Sequence, residues 1–181
     1  MNGIKIENIV AYTQISQGLD IDDLVTKIPD FQYNPDEFSG VTLKLDYPKT
    51  VILLLPSGKT ICTGAINMEE VEASIKKITE KIASVGIKVM SNPKLETQNI
   101  VVSTDLKKEL HLSSIAKDLS LENVNYEPEK FPGLKYNMDD IGASLLIFSS
   151  GKIVCTGAKN YEDASKVIEI MMEKLSSIGA L

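Results

Sequence analysis

The segment Pro56–Thr60 is the part of the sequence that comes closest to a motif with known chemistry. It reads Pro-Ser-Gly-Lys-Thr and matches the end of a phosphate-binding loop, Gly-x-x-x-x-Gly-Lys-Thr. The first glycine of that motif would fall at Leu53, and its lysine would open a helix, whereas the pattern here predicts a strand. A second copy, Ser150–Ile153, lacks the hydroxyl group that would bind a metal ion. We therefore interpret both segments as hairpin turns.

The other residues that could catalyse a reaction or bind a metal ion are scattered along the chain. Two acidic pairs, Asp22-Asp23 and Asp139-Asp140, could exchange protons, but neither recurs in the other half of the chain and both lie where a helix start or a turn is predicted. Cys62, Cys155 and His111 have no metal-ligand spacing, so the cysteines are expected to be buried, inert thiols. The sequence predicts neither an enzyme nor a metal or cofactor site.

The charge balance limits how the chain could bind nucleic acid. It has 25 acidic residues against 19 basic ones, all of them lysine, and a net charge of -6 with a pI near 4.9. This composition argues against coating nucleic acid by bulk electrostatics, so DNA binding would require a local surface. No apolar run approaches the ~20 residues of a membrane span, and Met1–Lys5 does not resemble a signal peptide. We expect a cytoplasmic protein that does not bind membranes.

The sequence contains one pattern twice. Residues 33–65 align with residues 126–158 without a gap, and 13 of the 33 positions are identical. Asn8–Val10 recurs as Asn99–Val101, displaced by two residues relative to that alignment. The two halves therefore differ in length by two residues, and we expect the difference beside the short helix. We predict two repeats, residues 1–91 and residues 92–181.

Each repeat is predicted to contain about five strands, one short helix and one long helix. In the first repeat, the patterns predict helices over 19–28 and 67–86, and strands over 4–12, 31–33, 41–45, 51–55 and 60–65. Asn67 with Glu70, and Asn160 with Asp163, have the spacing of N-terminal caps for the long helices. Gly86 and Gly179 suit the C-terminal ends of these helices.

The predicted strands carry more apolar surface than the helices can cover. Ten strands at a spacing of ~4.8 Å form a sheet roughly 45 Å wide, and four helices can cover only one of its faces. Yet the segments 51–55 and 144–148 are apolar at consecutive positions, so both faces receive apolar side chains. Either this open face binds a partner, or the two halves or two copies of the chain cover it. Phe38, Phe131 and Phe148 lie at strand ends beside turns, where their side chains are expected to project.

On these residues the chain resembles the TATA-box-binding protein family across essentially its whole length. The motifs that carry the resemblance are Asn8–Val10, Asn99–Val101, Tyr126–Leu134 and Leu145–Lys159. The lack of an extended N-terminal region is similar to the minimal, archaeal type. The resemblance implies an α+β fold, a saddle-shaped antiparallel sheet of ten strands from two pseudo-symmetric repeats, with the helices on its convex face.

The resemblance also implies that the concave face binds the minor groove of TATA-like promoter DNA and kinks it. Phe131 and Phe148 match the inserted pair of the second repeat, with Pro132 beside them. Phe38 and Ser39 match the equivalent positions of the first repeat, where Leu55 replaces the phenylalanine that is usual in the family. Two asparagines and two threonines also match DNA-contacting positions, namely Asn8, Asn99, Thr63 and Thr156. An apolar floor matches at Val10, Val101, Leu53, Leu146, Ile61 and Val154. The lysines that match are Lys44, Lys59, Lys152 and Lys159.

Two basic positions depart from the family pattern. The counterpart of Lys44 is Asn137, and Ile66 stands where the second repeat has Lys159. Fewer phosphate contacts than usual are therefore expected.

The implied partners are double-stranded promoter DNA, a transcription factor IIB-type protein and, indirectly, RNA polymerase. Glu127 and Glu129 match the loop that contacts the IIB-type factor, although exposed acidic residues are common throughout this chain. Without DNA, two copies of the chain could pair through the concave face. The alternative function is a protein-interaction module that uses the same face for a partner other than DNA.

Overall fold

A computed structural model describes residues 3–119 and 123–181. The elements of the first half are β1 (Lys5–Gln14), α1 (Ile21–Lys27), β2 (Gln32–Tyr33), β3 (Val41–Leu45), β4 (Thr50–Leu54), β5 (Lys59–Ala65) and α2 (Met68–Ser84). Those of the second half are β6 (Glu96–Asp105), α3 (Leu112–Asp118), β7 (Val124–Asn125), β8 (Gly133–Met138), β9 (Ala143–Phe148), β10 (Lys152–Ala158) and α4 (Tyr161–Ser177). The predicted element order is confirmed, and the ends predicted for the elements of the first half differ from the observed ends by at most two residues.

The chain forms two compact units. The first unit is Asn8–Gln98, and the second unit contains the segment that ends at Glu7 together with Asn99–Leu181. The strand order is β2-β3-β4-β5-β1 in the first unit and β6-β10-β9-β8-β7 in the second. Strand pairing within each unit is antiparallel. The predicted α+β class with ten antiparallel strands is confirmed, whereas the repeat bounds 1–91 and 92–181 remain a prediction.

The two-residue length difference between the halves follows the short helices. The starts of α1 and α3 correspond at an offset of 91 residues, since Ile21 aligns with Leu112. The β2–β3 pair and the β7–β8 pair correspond at an offset of 93 residues, since Gln32 pairs with Thr42 and Asn125 pairs with Lys135. The extra residues therefore follow Asp118, in a segment that includes residues 120–122, which lie outside the described part of the chain.

The long helices begin at side-chain caps and bury one apolar stripe. Asn67 Oδ1 accepts a 2.8 Å hydrogen bond from the backbone N–H of Glu70, and Asn160 caps α4 through Asp163 in the same way. These bonds satisfy N–H groups that have no partner within the helix, and they confirm the predicted caps. The buried stripe of α2 consists of Val71, Ile75, Ile78 and Ile82, and that of α4 of Ala164, Ile168, Met171 and Leu175. Among the described residues, no helix is both long and apolar enough to cross a membrane.

The strands of each unit have one face covered by the long helix and one open face. In β4, Ile52 and Leu54 are fully buried, whereas Val51 and Leu53 on the opposite face are half-buried. The same alternation separates Leu145 from its half-buried neighbours in β9. The helices α2 and α4 pack on the buried faces, against β5 and β10. The open face of each unit is the side with the half-buried strand residues.

The two cysteines lie on the helix-covered faces. Cys62 and Cys155 are free thiols with no exposed surface, as the sequence predicted. Burial raises the pKa of both thiols, that of Cys155 to about 11. The thiol of Cys155 therefore keeps its proton in the native state at pH values where an unfolded chain loses it.

The raised pKa of Cys155 predicts a loss of stability at alkaline pH. The unfolded thiol ionises near pH 8.5 to 9 and the native thiol only near pH 11. The contribution of this thiol to the free energy of unfolding is therefore complete below about pH 8.5, and it falls as the pH rises toward 11. As the pH is raised from about 8 to about 10.5, the free energy of unfolding measured with urea should fall by an extra amount on the order of 1 to 2 kcal/mol in the wild type relative to Cys155→Ala. Equal pH dependence in the two proteins would contradict the assignment.

Candidate nucleic-acid interface

The open face of the first unit has an apolar floor. Leu53 lies beside Ile61 across the β4–β5 pair, and Ile61 lies beside Tyr12 of β1. Val10 shares the face of Tyr12 because the two are two residues apart in one strand. The next row contains Lys44, Val51 and Thr63. The structure therefore brings together the residues predicted for this half: Asn8, Val10, Lys44, Leu53, Ile61 and Thr63.

The open face of the second unit repeats this arrangement with different polar groups. One row runs from Lys135 through Leu146 and Val154 to Ser103, and the next contains Asn137, Ser144 and Thr156. The structure brings together the predicted Asn99, Val101, Leu146, Val154 and Thr156. Lys135 is an exposed basic residue on this face that the sequence analysis missed. The alternation of Leu134, Tyr136 and Met138 with polar residues was the signal that could have identified it.

An asparagine amide on each open face is held in one orientation. Asn8 Oδ1 accepts a 2.6 Å hydrogen bond from the backbone N–H of Gly64, and Asn8 Nδ2 donates to Thr63 Oγ1 over 3.1 Å. Gly64 has a φ of 99° at an irregularity where β5 has one more residue than β1, a conformation that glycine adopts at low cost. Because an amide nitrogen carries two hydrogens, one donor of Asn8 remains for a ligand.

Asn99 has the same environment in the second unit. Its Oδ1 accepts from the backbone N–H of Gly157 over 2.7 Å, and its Nδ2 donates to Thr156 Oγ1 over 3.2 Å. Gly157 has a φ of 101°, and a Cβ atom there would lie 2.5 Å from the carbonyl oxygen of Gly142. The two units thus present the same oriented amide on an apolar face.

Two phenylalanines project at one end of the open face of the second unit. Phe131 is 42% exposed, and its ring centroid lies 5.9 Å from that of Phe148 in an edge-on arrangement with an interplanar angle of 63°. The backbone N–H of Phe131 donates to the carbonyl oxygen of Glu127, which closes the preceding turn. Pro132 is exposed beside the pair. The rings support each other while keeping part of their surface free.

The first unit has a smaller apolar group at the equivalent place. Phe38 is half-buried and follows a turn that its backbone N–H closes on the carbonyl oxygen of Asn34. Leu55 is half-buried and Ser39 exposed. We call these two groups the wedges of the two units: Phe38 with Leu55 in the first unit, and Phe131 with Phe148 in the second. The wedge of the second unit therefore offers the larger apolar surface to a ligand.

The predicted basic residues differ in their surroundings. Lys59 Nζ lies 4.5 Å from the ring centroid of Tyr12, and Lys152 Nζ lies 3.8 Å from Glu7 Oε1. Lys44 and Lys159 are exposed. Tyr12 and Glu7 were not among the predicted site residues, since neither residue type suggests phosphate binding by itself.

The predicted partner-binding residues lie in the turn before Phe131. Glu127 and Glu129 are exposed, and Glu127 forms an ion pair with Lys130. Among residues 3–119 and 123–181, no group of three or more histidine, cysteine or acidic side chains could hold a metal ion. The open faces therefore offer hydrogen-bond donors, apolar surface and lysines for binding.

Glycines beside the two wedges allow a test of this geometry. A Cβ atom on Gly133 would lie 2.7 Å from Phe131 Cε1 and 3.1 Å from Phe148 Cε1, whereas one on Gly40 would lie 2.2 Å from the backbone oxygen of Leu54. Gly40→Ala should lower the free energy of unfolding by about 1 to 3 kcal/mol, since backbone must shift. Gly133→Ala should cost less, because the rings can turn, and should shift the aromatic NMR resonances of Phe131 and Phe148. Equal losses of stability with unchanged ring resonances would contradict this geometry.

Comparisons with known proteins agree along almost the whole chain. Residues 3–85 and 94–178 match the family described as "Transcription factor TFIID (or TATA-binding protein, TBP)". The chain is 43% identical over 178 residues to the TATA-box-binding protein of Archaeoglobus fulgidus, covering 98% of this chain and 97% of the relative. It is 44% identical over 178 residues to TATA-box-binding protein D of Halobacterium salinarum, covering 98% and 96%. The solved structure of Methanococcus jannaschii TBP matches with a TM-score of 0.88 and 40% identity, covering 96% of this chain and 98% of that one. The chain therefore belongs to the TATA-box-binding protein family of transcription factors and is of the archaeal type.

Proposed function

We propose that the open faces of both units bind the minor groove of TATA-like promoter DNA, and that the protein acts without catalysis as a general transcription initiation factor. The observation that carries this proposal is the pair of oriented amides, Asn8 and Asn99. Each keeps one hydrogen-bond donor beside the apolar row of its open face. The relatives that are 43% and 44% identical to this chain are named TATA-box-binding proteins.

The chemistry of the open faces suits the minor groove of A·T base pairs. There the base edges present only acceptors, adenine N3 and thymine O2, whereas a G·C pair adds the donor N2 of guanine. The free Nδ2 donors of Asn8 and Asn99 would bind these acceptors. Apolar rows such as Leu53–Ile61 and Leu146–Val154 lie beside them, and a guanine amino group placed there would lose its water without gaining a partner. Selection for A·T follows from these two effects.

The phenylalanines supply the kink in this proposal. A wedge that enters a base step must replace the lost stacking with apolar contact. Phe131 and Phe148 offer two supported rings, while Phe38 and Leu55 offer one ring and one aliphatic side chain. The kink by the second unit is expected to be the stronger of the two.

The same proposal includes docking of a transcription factor IIB-type protein, which brings RNA polymerase to the promoter. Glu127 and Glu129 are exposed in the turn before Phe131, where they can reach a basic partner surface beside bound DNA. In the absence of DNA, a second copy of the chain could cover the same apolar faces.

Loss of the aromatic wedge should abolish most of the bending. Phe131→Ala and Phe148→Ala each remove stacking area and leave the other ring without its edge contact. We expect both variants to bend an A·T-rich duplex less than the wild type, measured by energy transfer between dyes at the duplex ends. Tyr47→Ala is the control, because Tyr47 is 82% exposed in the turn between β3 and β4.

A wild type that fails to bend such DNA would refute the function as a whole. Normal bending by both phenylalanine variants would refute the wedge and would favour a non-DNA partner for the open faces.

The smaller wedge of the first unit can be enlarged. Leu55→Phe should strengthen binding to a duplex with two flexible base steps by something on the order of 1 kcal/mol. This value comes from the additional apolar area of the phenylalanine side chain at ~25 cal/mol per Å². Phe148→Leu is the matched reverse change in the second unit and should weaken binding by a similar amount. Titration by fluorescence anisotropy measures both effects. Changes of the same sign in the two variants would contradict equivalent wedge positions.

A further inference from the structure

The equivalent lysines Lys59 and Lys152 have different electrostatic surroundings. Each is the first residue of the strand that follows a hairpin turn. Lys59 lies over the ring of Tyr12, and its register partner is the uncharged Gln14. Lys152 Nζ lies 3.8 Å from Glu7 Oε1, and its register partner is Asp105. Glu7 is therefore the carboxylate paired with Lys152, since the carboxylate of Asp105 is bonded to Lys107. In the first unit the nearby carboxylate of Glu96 accepts a hydrogen bond from the Tyr12 hydroxyl, and the described residues form no ion pair with Lys59.

Glu7 is fixed on the open face of the second unit. Its carboxylate accepts a hydrogen bond from Ser103 Oγ, and Ser103 lies in the same row as Leu146 and Val154. The side chain of Glu7 remains 45% exposed, so its negative charge lies at the surface proposed to meet DNA. The repeat gives the uncharged Gln98 at the equivalent position of the first unit.

A carboxylate in this place opposes contact with a phosphate backbone in two ways. It repels phosphate groups directly, and it holds the ammonium group of Lys152 in an ion pair that must loosen before Lys152 can reach a phosphate. The affinity of a lysine for DNA comes mainly from the counterions that it releases from the phosphates. A lysine that is already neutralised within the protein contributes less of this effect.

We infer that Glu7 is a positioning residue for Lys152, which it restrains from phosphate contact, so that the second unit binds the DNA backbone more weakly than its sequence suggests. This inference rests on the proposed function. The two units differ in that Lys152 forms an ion pair with the carboxylate of Glu7, whereas Lys59 lies over the Tyr12 ring.

The test compares Glu7→Gln, Lys152→Gln and the double variant, with the full chain bound to an A·T-rich duplex at salt concentrations from about 50 to about 200 mM. Glu7→Gln should bind about two- to five-fold more tightly, the range expected for one exposed ion pair. The slope of log K against log salt should steepen by about 0.9, the value for one further phosphate contact. In the Lys152→Gln background, Glu7→Gln should no longer change the slope.

Two further variants separate this role from general effects. Glu169→Gln makes the same charge change on an exposed position of α4 and should leave the slope unchanged. Ser103→Ala removes the hydroxyl that holds Glu7 and should shift the slope in the direction of Glu7→Gln.

The inference is overturned if Glu7→Gln binds no more tightly than the wild type, or if it steepens the slope equally without Lys152. Those results would leave the DNA-binding function intact, provided that the wild type binds the duplex. A wild type that does not bind would overturn the function and this inference together.

Discussion

The hydrogen bond from the backbone N–H of Gly64 to Asn8 Oδ1, repeated between Gly157 and Asn99, is the interaction on which the proposed interface depends. It fixes which atom of each amide is the acceptor, so that the remaining group on the open face is a donor. An amide free to turn would offer either a donor or an acceptor and would distinguish A·T from G·C poorly. The irregular pairing at Gly64 is therefore part of the site, because it aims an N–H at the asparagine.

In each unit the strands have a helix-covered face and an open face, and this division gives the amides their apolar surroundings. The long helix of each unit buries one set of alternate strand residues, including Cys62 and Cys155. The other set stays half-buried, which keeps a large apolar area in contact with water in the free protein. Such an area is costly unless a partner covers it. A groove floor that presents hydrogen-bond acceptors suits an apolar surface that carries oriented donors.

Much of this arrangement could be predicted from the sequence, because it is encoded locally. The helix caps at Asn67 and Asn160 follow from three-residue spacings, and the buried cysteines follow from strand alternation. The bond between Asn8 and Gly64 could not be predicted, since it joins residues far apart in the chain through an irregularity without a signature. The contact of Glu7 with Lys152 was missed for the same reason. Lys135 was missed although its strand alternates clearly, because its counterpart in the first repeat is the uncharged Thr42.

Readout through the minor groove is the central claim, and replacing A·T pairs by inosine·cytosine pairs tests it most directly. An inosine·cytosine pair presents the acceptors of an A·T pair in the minor groove, because it lacks the guanine amino group, but presents the pattern of a G·C pair in the major groove. We predict that the dissociation constant for a fully substituted duplex stays within about two- to three-fold of that for the A·T duplex, while G·C substitution weakens binding by about ten-fold or more. Equal loss of binding with inosine·cytosine and with G·C pairs would contradict the account.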